Sequence, residues 1–303
     1  PSPFTGWGLL YLLALMLTAC NLRVDSESTA TIALPTALVI PAATPTRTPD
    51  IAFTPVVIDH LRTVYALGQG RGNRPDVFSK IGDSITVSPM YLQALGDELY
   101  TLDEYGHLQA VITHFSATTA RTGNSFTNQS LAATVGWAAN AALIPYNANG
   151  ALCRIGETPL DCEYRLVQPS FALVMFGTND VGYRFAEEYR QDLTRIVQRS
   201  EELGIIALLS TIPARPGYDV NVDAFNTVVR DVAAAHSLPV WEYGAALAAL
   251  PNRGLSGDNV HPSSPPGGYN SAGDFRADNL CYGYVVRNLT ALQLLDSVWL
   301  AVQ

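Results

Sequence analysis

Apolar runs that alternate with amphipathic segments are the feature of this sequence that most limits its fold. Residues 171–176 (FALVMF) are continuously apolar and end at Gly177, which is typical of a strand buried on both faces of a sheet. Further strand-like runs occupy 77–81, 204–210 and 238–243. Four such runs along one continuous stretch predict a sheet whose strands are separated by other elements.

Amphipathic helices are predicted between and after these strands. Apolar residues repeat at spacings of three and four within 186–203 and 222–236, and a closing helix is predicted over 284–300. Strands that alternate with helices favour a parallel sheet covered on both faces through right-handed crossovers. We therefore predict one α/β domain over 56–303, a three-layer α/β/α sandwich with a central parallel sheet.

Composition and motifs argue against nucleic-acid and dinucleotide partners. The chain of 303 residues has a formal net charge of -9 and no basic run, whereas phosphate-binding surfaces need clustered Lys and Arg. The glycine-rich segment 68–72 (GQGRG) lacks the full dinucleotide fingerprint and precedes a strand instead of following one. We predict a loop there and no nucleic-acid partner.

The N-terminus predicts a location outside the cytoplasm. Residues 8–19 (GLLYLLALMLTA) form an apolar run that is short for a membrane span but suits a secretory signal, and Cys20 follows directly. The sequence LTAC at 17–20 resembles a bacterial lipobox, in which the cysteine is lipidated. We therefore expect a signal peptide over 1–20, a membrane anchor at Cys20 and a Thr/Pro-rich disordered tether over 21–55. An uncleaved anchor and an ordinary signal peptide are the alternatives, and both also place the domain outside the cytoplasm.

Reactive side chains occur just after two of the predicted strands and again near the C-terminal helix. They are GDS at 82–84, GTND at 177–180 and DNVH at 258–261. Ligands of open α/β sheets bind beyond the carboxyl ends of the strands. We therefore expect these three groups to meet at one edge of the sheet.

These residues are the types that acyl transfer requires. Ser84 can attack a carbonyl carbon, His261 can take its proton, and Asp258 can orient the imidazole and stabilise its charged form. The side-chain amide of Asn179 and the backbone N–H of Ser84 can donate hydrogen bonds to the developing oxyanion. The D-x-x-H spacing lets one loop supply both the base and its orienting group.

The three motifs, in this order, resemble blocks I, III and V of the SGNH/GDSL hydrolase family, and the resemblance covers about residues 75–300. It implies a flavodoxin-like fold, ester hydrolysis through a serine acyl-enzyme, no metal or other cofactor, and the same roles for the four residues above. Asp83 and Asp180, inside the motifs, are interpreted as structural.

The remaining block of the family contains a glycine whose backbone N–H completes the oxyanion hole. The segment Asn128–Ala133 resembles the approach to that residue, and the alignment puts Ala133 where glycine is expected. Gly136 lies close by and is an alternative counterpart. A backbone N–H is available at either position, so both stay open.

The cysteines beyond Cys20 predict a disulfide. Cys153 and Cys162 flank a short loop, and pairing is expected outside the cytoplasm. Cys281 is then left outside the pair, although pairing of Cys281 with either partner stays open. The histidines show no metal-ligand spacing.

Together these features predict an extracytoplasmic serine ester hydrolase that deacylates a carbohydrate or a small acyl ester. An acyl hydrolase acting on lysophospholipids or thioesters is an alternative within the same chemistry. A non-catalytic carbohydrate-binding module on the same fold is the alternative from another class.

Overall fold

A computed structural model describes residues 48–303. The signal peptide, Cys20 and most of the tether predicted from the sequence lie outside the described residues. The strands are β1 (Arg74–Gly82), β2 (Tyr100–Thr101), β3 (Pro169–Met175), β4 (Ile206–Ser210), β5 (Val240–Trp241) and β6 (Gly273–Asp274). The helices are α1 (Pro55–Gly70), α2 (Ser84–Val87), α3 (Gln93–Gly96), α4 (Gln109–Ser116), α5 (Pro159–Val167), α6 (Ala186–Glu202), α7 (Asp219–Ala235), α8 (Tyr243–Leu247) and α9 (Gly283–Val302).

The central sheet is parallel and has the order β1-β3-β4-β5. A short segment around Ala133 continues it beyond β1: the N–H of Gly82 donates to Ala132 O and the N–H of Thr134 donates to Gly82 O, both at 3.2 Å. Because Gly82 pairs with Met175 of β3 on its other side, this segment lies at the open edge of β1. Strands β2 and β6 form a separate two-stranded parallel pair.

Helices cover both faces of this sheet. Successive side chains of a strand point to opposite faces. Phe78 packs edge-on against Phe115 of α4, whereas the next residue, Ser79, donates a hydrogen bond to Glu163 of α5 at 2.9 Å. Helix α1 packs against α9, and α6 packs against α7. The α/β sandwich with a central parallel sheet, predicted from the sequence, is confirmed.

The strongest periodic segments lie close to where the sequence predicts them. Strand β3 is buried along its whole length, and α6 and α7 begin and end within about three residues of their predicted bounds, a normal scatter for helix ends. Helix α9 is apolar and long enough to cross a membrane, but 67% of its most apolar window is buried inside the domain. Its hydropathy therefore reflects packing in the core.

The domain begins earlier than the sequence predicts, and the prediction of a tether up to residue 55 is wrong at its end. The N–H of Ile51 donates to Ser297 Oγ at 3.1 Å, and Asp50 lies 2.9 Å from the His107 imidazole. Phe53 packs against the core, and Thr54 caps the start of α1.

The loop predicted at 68–72 is also corrected, because the first three of its residues form the last turn of α1. Gly68 is buried like Leu61 and Val64, and a Cβ built on it would stand 2.1 Å from Gly204 O, so this last turn also packs against the domain.

Candidate active site

Ser84 lies where β1 turns into α2, at the carboxyl edge of the sheet. Asp83 is fully buried and caps the helix, since its Oδ1 accepts the N–H of Ile85 at 2.9 Å. A Cβ atom on Gly82 would stand 2.3 Å from Thr86 Oγ1 and 2.5 Å from a β3 carbonyl oxygen. Only glycine lets the helix fold back this closely, which holds Ser84 at the end of the strand.

His261 and Asp258 reach Ser84 from one loop near the C-terminus. Ser84 Oγ lies 2.9 Å from His261 Nε2, and His261 Nδ1 donates to Asp258 Oδ2 at 2.6 Å. The other carboxylate oxygen, Oδ1, accepts from Ser256 Oγ at 2.6 Å and from the backbone N–H groups of Val260 at 2.9 Å and His261 at 3.0 Å. The loop thus fixes the carboxylate, and the carboxylate fixes the imidazole.

The environment of Asp258 favours its charged form. Partial burial opposes the charge, but hydrogen bonds from Ser256, from the His261 ring and from backbone N–H groups outweigh this cost and lower its pKa. The side chains of Asp258 and His261 stay 49% and 39% exposed. The pair therefore keeps an ionised acceptor beside the imidazole while remaining open to water.

Asn179 follows β3 and faces the same edge. Gly177 forms the turn with φ at +116°, a conformation that strains a residue with a side chain. A Cβ built on it would also stand 3.0 Å from Ile212, so the turn favours glycine for both reasons. Asn179 Nδ2 donates one N–H to Trp137 O at 2.9 Å, which leaves the second amide N–H available. Asn179 therefore ties the 137 segment to the end of β3 and retains one donor.

Asp180 stabilises this turn through hydrogen bonds. Its carboxylate accepts the N–H of Gly177 at 3.1 Å and the N–H of Ala139 at 3.1 Å, and Arg184 lies 3.5 Å away. Burial raises its pKa to about 6, although the bond from Ala139 and the charge of Arg184 act in the opposite direction. Asp180 therefore holds the loops on either side of Asn179, in line with the structural role predicted for it.

The two candidates for the second backbone donor lie in different surroundings. Ala133 is partly buried and pairs with Gly82, two residues before Ser84. Its neighbours make the hydrogen bonds to Gly82, so the sheet does not use the N–H of Ala133. Gly136 is exposed, has φ at +80°, and a Cβ built on it would have no heavy atom within 4 Å.

Arg287 was not singled out by the sequence patterns, although it braces the helix that carries Ser84. It is fully buried in α9, its Nη1 donates to Ile85 O, and its Nη2 donates to Thr86 Oγ1 at 3.1 Å. Its guanidinium lies 3.7 Å from the centre of the Tyr91 ring, a cation–π contact that stabilises a buried positive charge. The sequence signal, the single basic residue of a mostly apolar helix, marks a buried polar contact without naming its partner.

The buried carboxyl of Asp83 lies within the field of this arginine. Burial raises the pKa of Asp83 to about 6, and the hydrogen bond from Ile85 and the charge of Arg287 reduce the rise. Its Oδ2 has no hydrogen-bond partner among residues 48–303. Asp83 therefore serves as a helix cap, which agrees with its predicted structural role.

The structure joins Cys153 and Cys162 in the disulfide that the sequence predicts. Glu157 lies near both sulfurs, but sulfurs bound to each other are not thiolate ligands, so this group does not form a metal site. Cys281 lies elsewhere, and its Sγ donates to Asp278 O at 3.3 Å.

In this α/β sandwich, a serine, a histidine and an aspartate form one hydrogen-bonded chain at the edge of the sheet. This arrangement is typical of the class of serine hydrolases. Residues 81–265, more than half of the chain, match the model of the GDSL-like Lipase/Acylhydrolase family. The chain is a member of this family of ester hydrolases, and the family resemblance carried by the three motifs is confirmed.

Solved structures of such enzymes resemble the chain at low sequence identity. A lipase/acylhydrolase from Enterococcus faecalis is 20% identical, with a TM-score of 0.44, over 71% of this chain and 95% of that one. An acetylxylan esterase from Geobacillus stearothermophilus is 18% identical, with a TM-score of 0.46, over 72% and 93%. A GDSL-like lipase from Bacteroides thetaiotaomicron is 13% identical, with a TM-score of 0.44, over 78% and 98%. No curated protein sequence matches the chain.

Proposed function

We propose that this chain is an extracytoplasmic serine ester hydrolase that deacylates a carbohydrate or another small acyl ester. The observation that carries the proposal is the unbroken chain from Ser84 Oγ through His261 to the Asp258 carboxylate. A hydroxyl is a weak nucleophile at neutral pH unless a base takes its proton as it attacks. His261 Nε2 stands at the distance that this transfer needs.

In the acylation step, Ser84 Oγ bonds to the ester carbonyl carbon while its proton moves to His261 Nε2. Asp258 stabilises the imidazolium that forms. Hydrogen bonds stabilise the negative charge on the carbonyl oxygen, and they come from the second amide N–H of Asn179 and from the backbone N–H groups of Ser84 and Ala133. His261 then protonates the departing alcohol oxygen as its bond to the acyl carbon breaks.

In the deacylation step, a water molecule replaces the alcohol. His261 takes a proton from this water as its oxygen attacks the acyl carbon, and the same donors hold the second tetrahedral intermediate. The Ser84 ester bond then breaks, the proton returns to Ser84 Oγ, and the free acid leaves.

For the second backbone donor we propose Ala133 over Gly136. Support comes from the pairing of Ala133 with Gly82, which sets it beside the turn that carries Ser84 and leaves its N–H outside the sheet. A backbone donor needs no particular side chain, so alanine can occupy a position where the family resemblance leads us to expect glycine.

The extracytoplasmic location is supported by the Cys153–Cys162 disulfide, because disulfides persist in oxidising compartments. The lipid anchor at Cys20 remains a prediction from the sequence. Cell fractionation and labelling with a radioactive fatty acid test it, with Cys20→Ser as the matched variant. Equal labelling of both proteins would refute the anchor.

The catalytic proposal is tested by hydrolysis of p-nitrophenyl acetate and by labelling with a fluorophosphonate. We expect Ser84→Ala to lose at least roughly a thousandfold in kcat/KM and all labelling. Ser116→Ala, on α4, serves as the matched control and should keep both. A wild-type protein that hydrolyses no ester and takes no label would instead fit a non-catalytic carbohydrate-binding module.

The substrate is then sought with a panel of acyl chain lengths, acetylated glycans, lysophospholipids and thioesters. The proposal predicts the highest kcat/KM for short acyl groups or acetylated sugars. A maximum at long acyl chains or thioesters would favour the other acyl hydrolases.

A further inference from the structure

Lys80 is the only lysine in the sequence. The other 17 of its 18 basic Lys and Arg residues are arginine. It lies on β1, four residues before Ser84, and only 7% of it is exposed. Lysine side chains are almost never buried unless they are paired. A buried lysine this close to the nucleophile therefore needs a partner.

The protein satisfies only part of the hydrogen-bonding capacity of the Lys80 ammonium group. Lys80 Nζ donates to Phe126 O at 2.5 Å, and this is its one hydrogen bond within the described residues. An ammonium group has three N–H donors, so two are left for other acceptors. Glu163 attracts the charge, but its oxygens accept from Ser79, Asn128 and the N–H of Leu131.

The ammonium charge is retained near neutral pH. Burial lowers the pKa of Lys80 to about 8, an effect that the nearby Glu163 carboxyl opposes and the Arg287 charge reinforces. At pH 7 most of the molecules therefore carry a positive charge at this position.

Lys80 borders a cavity of about 340 Å³ that lies between α2 and the segment leading to Ala133. Polar side chains make up most of its wall, among them Ser88, Gln93 and Asn128. Thr86 of α2 and Ala133 border it too. With a rise of about 1.5 Å per residue, Thr86 and Ser88 stand only about 3–6 Å along the helix from Ser84.

We propose that this cavity binds a carboxylate carried by the ester substrate, with the Lys80 ammonium as its counter-charge. The inference rests on the proposed ester hydrolysis and narrows the substrate class to esters that bear an acidic group. An anion would use the two remaining N–H donors and relieve the cost of a buried charge, and both effects are stronger away from water. A neutral group could accept the hydrogen bonds, but it would leave the ammonium without a hydrogen-bonded anion, since the oxygens of nearby Glu163 accept from other groups.

The first test compares matched esters that differ in one carboxylate. Monomethyl adipate against methyl hexanoate places the charge on the acid side, and 4-acetoxybenzoate against 4-acetoxybenzamide places it on the alcohol side. We expect the charged member of at least one pair to have about tenfold higher kcat/KM, mainly through a lower KM. The pair that shows the preference identifies the side that enters the cavity.

The variant Lys80→Met should bring that ratio close to one. Because the readout is a ratio within each protein, a general change in activity cancels. Arg195→Met removes an exposed cation on α6 and is the matched control, which should leave the ratio unchanged. A wild-type ratio near one in both pairs, or a preference that persists in Lys80→Met, would overturn the inference and leave the ester hydrolase proposal intact.

The second test uses the wild-type protein, so it does not depend on the variant folding. Because there is one lysine, lysine labelled with ¹⁵N at the ε-nitrogen should give a single side-chain signal. Glutarate should shift this signal in a saturable way, whereas the neutral glutaramide should not. No shift with glutarate would refute an anion site at Lys80, even in a protein that hydrolyses no ester.

Discussion

Replacing Asp258 with alanine is expected to lower kcat by roughly 15- to 150-fold, with a smaller effect on KM. The variant removes the carboxylate that stands 2.6 Å from His261 Nδ1 and that we propose stabilises the imidazolium during both proton transfers. At this separation Coulomb's law gives about 1.6 kcal/mol in bulk water and about 3 kcal/mol at a dielectric constant of ~40, which is half the bulk value and about twice the ~20 used for pairs near a protein surface. The half-exposed positions of both side chains place the pair between these limits.

This expected loss is much smaller than the ~10⁴-fold loss known for a buried triad aspartate changed to asparagine, a change that also holds the imidazole in the wrong tautomer. Initial rates with p-nitrophenyl acetate across a range of pH would measure kcat and KM for the wild type and for Asp258→Ala. Ser256→Ala is the matched control, since it removes one hydrogen bond from the same carboxylate and keeps the charge. A loss near 10⁴-fold, or no loss, would refute the reasoning from exposure.

Three further predictions concern the free energy of unfolding, measured with denaturant. Gly177→Ala should lower the free energy of unfolding by about 1–3 kcal/mol, because φ is +116° and a neighbouring side chain stands 3.0 Å from the new Cβ. Gly150→Ala, where the new Cβ meets open space, is the control and should lower it little. Equal losses in the two variants would contradict this prediction. Replacing both Cys153 and Cys162 with alanine should cost roughly 2–3 kcal/mol through loss of the short loop constraint, and an unchanged midpoint would count against it. Burial raises the pKa of Asp83 to about 6, so between about pH 4 and 6 the folded state holds a proton that the unfolded chain has released. The free energy of unfolding should therefore fall as pH rises from about 4 to 6. Asp83→Asn, which keeps the Oδ1 acceptor, should make this fall shallower, and identical slopes would disprove it.

The parts of the fold that the sequence predicts are those with a strong local signal. Strand β3 is a continuous apolar run, and α6 and α7 have clear helical periodicity, so their type follows from short-range pattern. Helix α1 was missed because it begins directly after a Thr/Pro-rich stretch. Its signal, Thr54 before Pro55 at the first helical turn, is a start signal that proline-rich composition obscured.

The site divides in the same way. Ser84, Asn179, Asp258 and His261 occur in motifs whose order and position relative to strands can be read from the chain. The buried cation Arg287 meets Ile85 across 202 residues, and no local pattern reports a contact that distant. Which residues brace the nucleophile is therefore decided by packing, which only the structure supplies.

The distance along the chain between Ser84 and His261, 177 residues, has a consequence for when the protein becomes reactive. During synthesis the serine emerges early, but its base emerges only after the strands of the central sheet are complete. A nascent chain or a fragment that ends before Asp258 carries a hydroxyl with no group to take its proton. Hydrolytic competence thus arises only when the C-terminal part of the domain has folded, so an unfinished chain cannot hydrolyse esters in this way.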